Sequence, residues 1–487
     1  MINYPKKIFN SFLWNLIELI FSRGLSFFIQ IILARLLSPE DFGLVGMALV
    51  FYNFIRLFND LGLGAALIQK EASSIRQIHF DTFFIGNAFA SLILFILIIS
   101  IIAPVGANFY NEPLVEPILI VLSISVLLNP LKLISIVELT RKLNFKIMSF
   151  INVIASITAS FIAIILFLLG FGIWSLVMQH LLIMTLGIPL YLYFLEWKPN
   201  FDFSFKVFKE IFNFGGFILL TNILFYVTSN FDYLIIGKLC GKELLGVYTL
   251  AFILTDTFRN QLTTIINKIM FPVYSQIQQD INKVKDYYLK VLRYNAILIF
   301  PIMLIFILFS DVIIINIFGE KWSDAIFPLQ MLSIAAIIHT LGATSGTVMR
   351  GLGNSKLEFN IYLMKTLFVT IPSISIGVYF WGIDGGAIAI VVHKLATRII
   401  SQIYLKRLID VTERNIFYSI QPSLIGSCIL IITYYILILF IDNTNLAIHI
   451  IMMIIILVLY FITIYLLIKN EIKKIYENYI KTQYKSI

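Results

Sequence analysis

Apolar runs of about twenty residues, the length an α-helix needs to cross about 30 Å of hydrocarbon, recur along the chain between residues 11 and 468. Short polar turns separate them, each with its own helix-breaking signal: Ser38-Pro39, Pro104 to Pro113, Gly170-Phe171-Gly172, Lys198-Pro199-Asn200, Trp381-Gly382 and Asp442-Asn443. The pattern predicts an all-α polytopic membrane protein with about fourteen transmembrane helices, the first over 11–34 and the last over 446–468. Two connections mix apolar positions with charge. Residues 196–210 and residues 272–292, where Ile277, Ile281, Val284, Tyr288 and Val291 recur at helical spacing, read as segments lying in the membrane interface.

The chain repeats itself. Residues 26–60 match residues 229–263 at a constant offset of 203, with Ser26/Ser229, Phe28/Phe231, Ile32/Ile235, Leu36/Leu239, Glu40/Glu243, Gly43/Gly246, Ala48/Ala251 and Arg56/Arg259 identical. Ile and Leu identities carry little weight among apolar helices; the Glu, Gly and Arg identities carry more. Fainter echoes follow, Arg141-Lys142-Leu143 with Arg350-Gly351-Leu352 and Gly172-Ile173 with Gly382-Ile383. Six spans per copy is an even number, so the copies share one orientation and are related by an axis along the membrane normal. The predicted organisation is an N-lobe over 1–197, a cytoplasmic linker over 198–210 and a C-lobe over 211–409. Residues 410–487 add two extra C-terminal helices and a basic tail.

Composition agrees with the pattern. The 487 residues are 60% hydrophobic and 13% charged, against about 25% charged in soluble domains. The net charge of +9 could suggest nucleic acid, but its distribution excludes that. With both termini in the cytoplasm, 24 of the 36 Lys and Arg residues fall in cytoplasmic segments and only Arg35, Lys238, Lys242 and Lys321 in outside loops. That bias is a topology signal, set against an anionic leaflet. Lys6 and Lys7 precede a first apolar helix that carries Glu18 and Arg23 and no small-residue cleavage site, so it is expected to stay as a span. Cys240 and Cys428 lie in different spans without metal-ligand spacing, so neither a disulfide nor a metal is expected.

The remaining cations sit within spans: Arg23, Arg56, Lys132, Arg259, Lys268, Lys365, Lys394 and Arg398. A mid-bilayer charge costs roughly 2.5–3.5 kcal/mol on insertion scales and marks an internal pathway by default. Lys132, Lys268 and Arg398 are near cytoplasmic ends, where long side chains can snorkel to headgroups. Helical spacing puts Arg23, Arg56 and Arg259 on polar stripes: Glu18, Ser22, Ser26 and Gln30 beside Arg23, then Asn53, Arg56 and Asp60, and then Asp256, Arg259, Thr263 and Asn267. The repeat relates Asn53 to Asp256 and Arg56 to Arg259, so the two arginines could face one another in a cationic cavity. Alternatively Arg56–Asp60 and Arg259–Asp256 are local ion pairs. Lys365 is a further candidate, while His180 and His393 read as packing residues. A guanidinium recognises phosphate through a planar fork and never deprotonates, so such a cavity suits a pyrophosphate headgroup better than an organic cation. Asp60, Asp232 and Asp256 are candidates for H⁺ or Na⁺ coupling; no other cofactor is expected.

The stretch from Ser22-Arg23-Gly24 through Ala34-Arg35-Leu36-Leu37-Ser38-Pro39-Glu40-Asp41-Phe42-Gly43-Leu44, then Asp60 to Gln69, resembles bacterial oligosaccharide flippases of the Wzx or polysaccharide-transport type. These belong to the multidrug/oligosaccharidyl-lipid/polysaccharide superfamily. Phe271-Pro272-Val273-Tyr274-Ser275 resembles the same family. The resemblance implies translocation of a polyprenyl-pyrophosphate-linked oligosaccharide across the bacterial cytoplasmic membrane, by alternating access of two six-helix lobes. The sugar would occupy a central polar cavity and the lipid tail would remain among the membrane lipids. By position it makes Arg23, Arg56 and Arg259 headgroup ligands. It also implies a polysaccharide polymerase and export machinery as partners. Peptidoglycan lipid II flippases share the architecture and stay open as an alternative. A multidrug exporter is disfavoured because intramembrane arginines outnumber unpaired carboxylates. A membrane-embedded polymerase would need a sizeable catalytic loop or domain, and no P-loop, GxSxG or HExxH motif appears; no enzymatic activity is expected.

Overall fold

The computed structural model describes residues 24–59, 63–70, 75–142, 144–440 and 446–484. Every regular element among them is helical. That is the outcome lipid imposes on an open chain, because a helix satisfies its backbone hydrogen bonds within itself. Eleven of the described helical segments are long and apolar enough to cross a membrane, and Ser26–Leu36 is a shorter apolar helix. The chain forms two compact units, one ending at Leu250 and the other beginning at Ala251.

In the first unit the order is α1 Gly24–Leu36, α2 Pro39–Arg56, α3 Leu63–Gln69, α4 Gln77–Tyr110, α5 Val115–Arg141, α6 Phe145–Leu168, α7 Ile173–Thr185 and α8 Ile188–Tyr193. The α1–α2 turn is set locally. The Ser38 hydroxyl accepts from Asp41 N–H while the Asp41 carboxylate accepts from Ser38 N–H, a capping box with Pro39 in the first helical turn. On α6 the small residues Ala155, Ala159 and Ala163 are buried while Phe161, Ile165 and Leu168 are exposed. Small residues facing the protein let helix backbones approach, and bulky ones can face lipid at no cost.

Residues 195–204 cross the first unit without helix and are pinned by acceptors on α4 and α5. Glu138 Oε2 accepts from the backbone N–H groups of Glu196 and Trp197, each at 3.2 Å. The buried Asp81 Oδ1 accepts from Trp197 Nε1 at 3.1 Å and Asn200 N–H at 3.2 Å, and Thr82 Oγ1 accepts from Ser204 N–H at 3.1 Å. A strand-free segment leaves its N–H groups unpaired, and these side chains satisfy them.

Helix α9, Phe205–Gln276, is interrupted at Gly241, whose φ of 83° lies in the left-handed region. Only glycine adopts that conformation without a Cβ penalty. The break falls where the hydrophobic pattern changes span, and the helix arm before it belongs to the first unit. The second unit continues with α10 Ile281–Leu308, α11 Ile326–Thr340, α12 Ser345–Gly351, α13 Ser355–Lys365, α14 Ile371–Ile409, α15 Glu413–Phe440 and α16 Leu446–Tyr484. Helix α14 turns back at Trp381-Gly382, where Gly382 has φ 57°.

The structure corrects one expectation. Residues 272–292 include the end of α9 and the start of α10, and their apolar stripe, apart from the exposed Ile281, faces protein rather than the membrane interface. Val284 and Tyr288 are fully buried in a core with Tyr274, Leu292, Val411 and Ile416, and Ile277 and Val291 pack against it. Periodicity identifies an apolar face but not what covers it.

Candidate functional site

Three predicted residues, Glu18, Arg23 and Asp60, lie outside the described residues, as does the side chain of Lys268. The others divide between the two units.

In the first unit Gln30 on α1 and Asn53 on α2 are half-buried, and Arg56 in the last turn of α2 is exposed. Helix α2 is held to α9 nearby: Tyr226 donates its hydroxyl hydrogen to the Val50 carbonyl at 2.7 Å, and its ring lies 6.0 Å from that of Phe54. Asp232, 1% exposed, accepts at Oδ2 from the Tyr248 hydroxyl at 2.7 Å. That bond joins the two arms of α9 across the Gly241 break. Lys132 lies 5.7 Å from the centroid of the Tyr191 ring and reaches the Met184 carbonyl.

The second unit gathers more charge. Asp256 accepts from both Arg259, three residues on, and Asn260, four residues on, so the Asp256–Arg259 pair is local to one helix face. Arg350 Nε meets Glu358 Oε2 at 3.0 Å. Glu358 runs over Gly346 to get there; a Cβ on that glycine would lie 2.3 Å from Glu358 Oε1. Thr347 donates to Asn267 Oδ1 at 2.7 Å, which places the α9 polar stripe against α12.

Lys365 closes α13 and is 4% exposed. Its ammonium sits 4.1 Å from the centroid of the Tyr362 ring, and no carboxylate among the described residues is within ion-pair distance. Burying an unpaired ammonium costs several kcal/mol, and a desolvated cation–π contact returns about 2 kcal/mol. The balance opposes folding, which is the mark of an intramembrane charge kept for another purpose.

Beyond Lys365 the chain makes a π-turn over Thr366–Thr370. The wider turn lets the Thr370 hydroxyl donate to the Lys365 carbonyl at 3.2 Å. The same oxygen lies 2.8 Å from Nδ1 of the buried His393. A hydroxyl has one hydrogen, so with that hydrogen on the carbonyl, Nδ1 carries the imidazole proton and Nε2 is left as an acceptor.

His339 on α11 was missed by the sequence reading. Its Nδ1 is buried without a hydrogen-bond partner among the described residues. The fold links Lys365 through Thr370 to His393, which the spacing alone reads as a packing residue. Nothing in the sequence around His339 distinguishes it from a packing histidine; its buried, unpartnered Nδ1 does. Chemically, the buried Lys365 ammonium is a donor suited to an anion, while His393, with its Nδ1 proton on Thr370, offers an acceptor at Nε2. Among the described residues no His, Cys, Asp or Glu cluster could hold a metal ion.

Residues 32–327 match the family described as polysaccharide biosynthesis protein. The teichuronic acid biosynthesis protein TuaB of Bacillus subtilis (strain 168) is 28% identical over 308 residues, covering 63% of this chain and 63% of that protein. The lipopolysaccharide biosynthesis protein WzxC of Escherichia coli (strain K12) is 24% identical over 396 residues, covering 80% of this chain and 78% of WzxC. In fold, the chain is similar to the lipid II flippase MurJ in an inward closed conformation, with a TM-score of 0.75 at 18% identity over 94% of this chain and all of the other.

Proposed function

This chain belongs to the polysaccharide biosynthesis protein family, and from that membership we propose that it is a flippase, not an enzyme. It moves a polyprenyl-pyrophosphate-linked oligosaccharide from the inner to the outer leaflet of the bacterial cytoplasmic membrane. The observation that carries the reading is the buried Lys365, whose ammonium has only the Tyr362 ring and no carboxylate of the described residues within ion-pair distance. A low-dielectric ammonium donor suits a pyrophosphate oxygen. Arg56, Arg259 and the undescribed Arg23 are further headgroup ligands in this proposal, with Gln30 and Asn53 as polar contacts for sugar.

The finer architecture belongs to the same proposal. Counting each of the two segments interrupted at Gly241 and Gly382 as a pair of spans, and adding the short first helix, turns eleven into fourteen. Both termini are cytoplasmic in this proposal, a reading supported by the placement of Lys and Arg. Outward movement of an anion is assisted by an outside-positive potential, about 2.3 kcal/mol per charge per 100 mV.

Deleting the gene tests the reading, with lipid-linked oligosaccharides measured on each leaflet. Accumulation on the inner leaflet, reversed by the full chain but not by Lys365→Met, is the expected result. Undiminished outer-leaflet oligosaccharide would sink it, and selective accumulation of the peptidoglycan precursor would move the substrate to lipid II.

A further inference from the structure

Within the second unit, a cavity of about 220 Å³ lies where α10 ends. Its walls are the turn that follows α10, the last turns of α15 and the first turn of α16, and its polar side chains are Asp311, Asn316, Tyr434 and His449. The local sequence shapes it. After Phe309 the chain passes through Ser310–Val312 into a π-turn over Ile313–Phe318, a widened turn that changes which side chains share a face. Asn316 Nδ2 donates to the Val312 carbonyl at 3.0 Å across that turn.

The walls are fixed from behind. The buried Phe309 ring meets the Tyr434 ring edge-on, with centroids 4.9 Å apart. Gln330 Nε2 on α11 donates to Ser310 Oγ at 2.8 Å. Deeper in the unit, the Tyr460 hydroxyl on α16 donates to the Ile297 carbonyl on α10 at 3.2 Å. The Tyr460 ring packs against Gly426 of α15, where a Cβ would come within 2.8 Å of it. A cavity whose walls are already set loses little freedom on binding.

The lining selects the ligand. Asp311 brings a carboxylate, and no Lys or Arg lines the cavity, so a phosphate placed there would meet like charge without a counter-ion. The volume is below the roughly 300–1,000 Å³ that encloses a drug-sized ligand, which suits a headgroup and not an oligosaccharide. Exposed apolar side chains continue from the cavity along the same helices, Tyr435 and Leu439 on α15 and Ile450 on α16, and on membrane helices such faces meet lipid. We propose that this cavity binds the primary ammonium of an ethanolamine phospholipid headgroup, with Asp311 as the acceptor and the Tyr434 ring beside it. A choline headgroup carries the charge but has no N–H to donate, and a phosphatidylglycerol headgroup brings only negative charge. The inference does not depend on what the chain transports.

The test is native mass spectrometry of the purified full chain in detergent. The protein is titrated separately with dioleoyl phosphatidylethanolamine, phosphatidylcholine and phosphatidylglycerol, and the first binding event is read. The ethanolamine lipid should bind about two- to fivefold more tightly than the other two, as an exposed ion pair allows. Asp311→Asn should abolish that preference, and so should Ile315→Trp, which fills the cavity. Glu320→Gln removes an exposed carboxylate that does not line the cavity and should retain the preference. Equal affinity for the three lipids, or tighter binding of phosphatidylglycerol, overturns the proposal. So does a preference that survives Asp311→Asn, whose side chain is exposed, or that is lost in Glu320→Gln. Loss of the preference on adding free glucose would assign the cavity to sugar and overturn it equally.

Discussion

Tyr248 donates its hydroxyl hydrogen to Asp232 Oδ2 at 2.7 Å, and the two residues stand on opposite arms of a helix broken at Gly241. The bond holds the arms of the break together in a buried setting, where hydrogen bonds to a charged group contribute about 1.5–3 kcal/mol. Tyr248→Phe should therefore lower stability by about that amount, read as a drop in the thermal midpoint of the purified protein in detergent. An unchanged midpoint would show that the arms are held by packing alone.

Lys365 should behave in the opposite way. Its burial costs stability, so Lys365→Met should leave the thermal midpoint equal or higher. Oligosaccharide export should fall about 10–100-fold, since a charge-assisted bond of about 1.5–3 kcal/mol is lost at about 1.4 kcal/mol per tenfold. A lower midpoint with export intact would make the lysine a structural residue.

The Asp256–Arg259 pair separates two roles. If the guanidinium serves only to neutralise the carboxylate, Asp256→Asn combined with Arg259→Gln should restore what Arg259→Gln alone removes. A headgroup ligand cannot be rescued in that way, and the proposed function expects both variants to export at least about tenfold less, the loss of about 1.4 kcal/mol or more. Leaflet-resolved oligosaccharide measurement decides between them.

Outside the membrane-spanning segments, Lys70 Nζ meets Glu210 Oε1 at 2.5 Å, and that hydrogen bond holds the Glu210 carboxyl below the usual carboxylate range. A group whose folded value is depressed contributes stability above its unfolded value, about 4.3, and loses it as pH falls through the folded one. The carboxylate is 59% exposed, which limits the pair to about 0.2–1 kcal/mol. Lys70→Met should lower the thermal midpoint slightly at neutral pH, and the difference should close below about pH 4. A difference that persists in acid would assign it to packing of the lysine stem.

Several elements were legible before any coordinates. The turn at Ser38-Pro39 and the break at Trp381-Gly382 follow from local rules that act within a few residues. The buried Lys365 was legible as a charge in an apolar run. The Thr370 bridge from Lys365 to His393 was not, because it depends on which residues the π-turn brings together.

The amino-acid sequence by itself determined that this chain is a bundle of membrane helices, where its turns fall, and that residues 26–60 are echoed by residues 229–263. Those properties depend on hydropathy and on backbone preferences, which each segment carries alone. Only the tertiary structure decided that most of the apolar stripe of residues 272–292 faces a protein core, that Arg259 is bonded to Asp256, and that Gly43 stands against the Lys242 backbone. Each depends on what stands opposite a helix face, and a one-dimensional pattern describes a face without its neighbour.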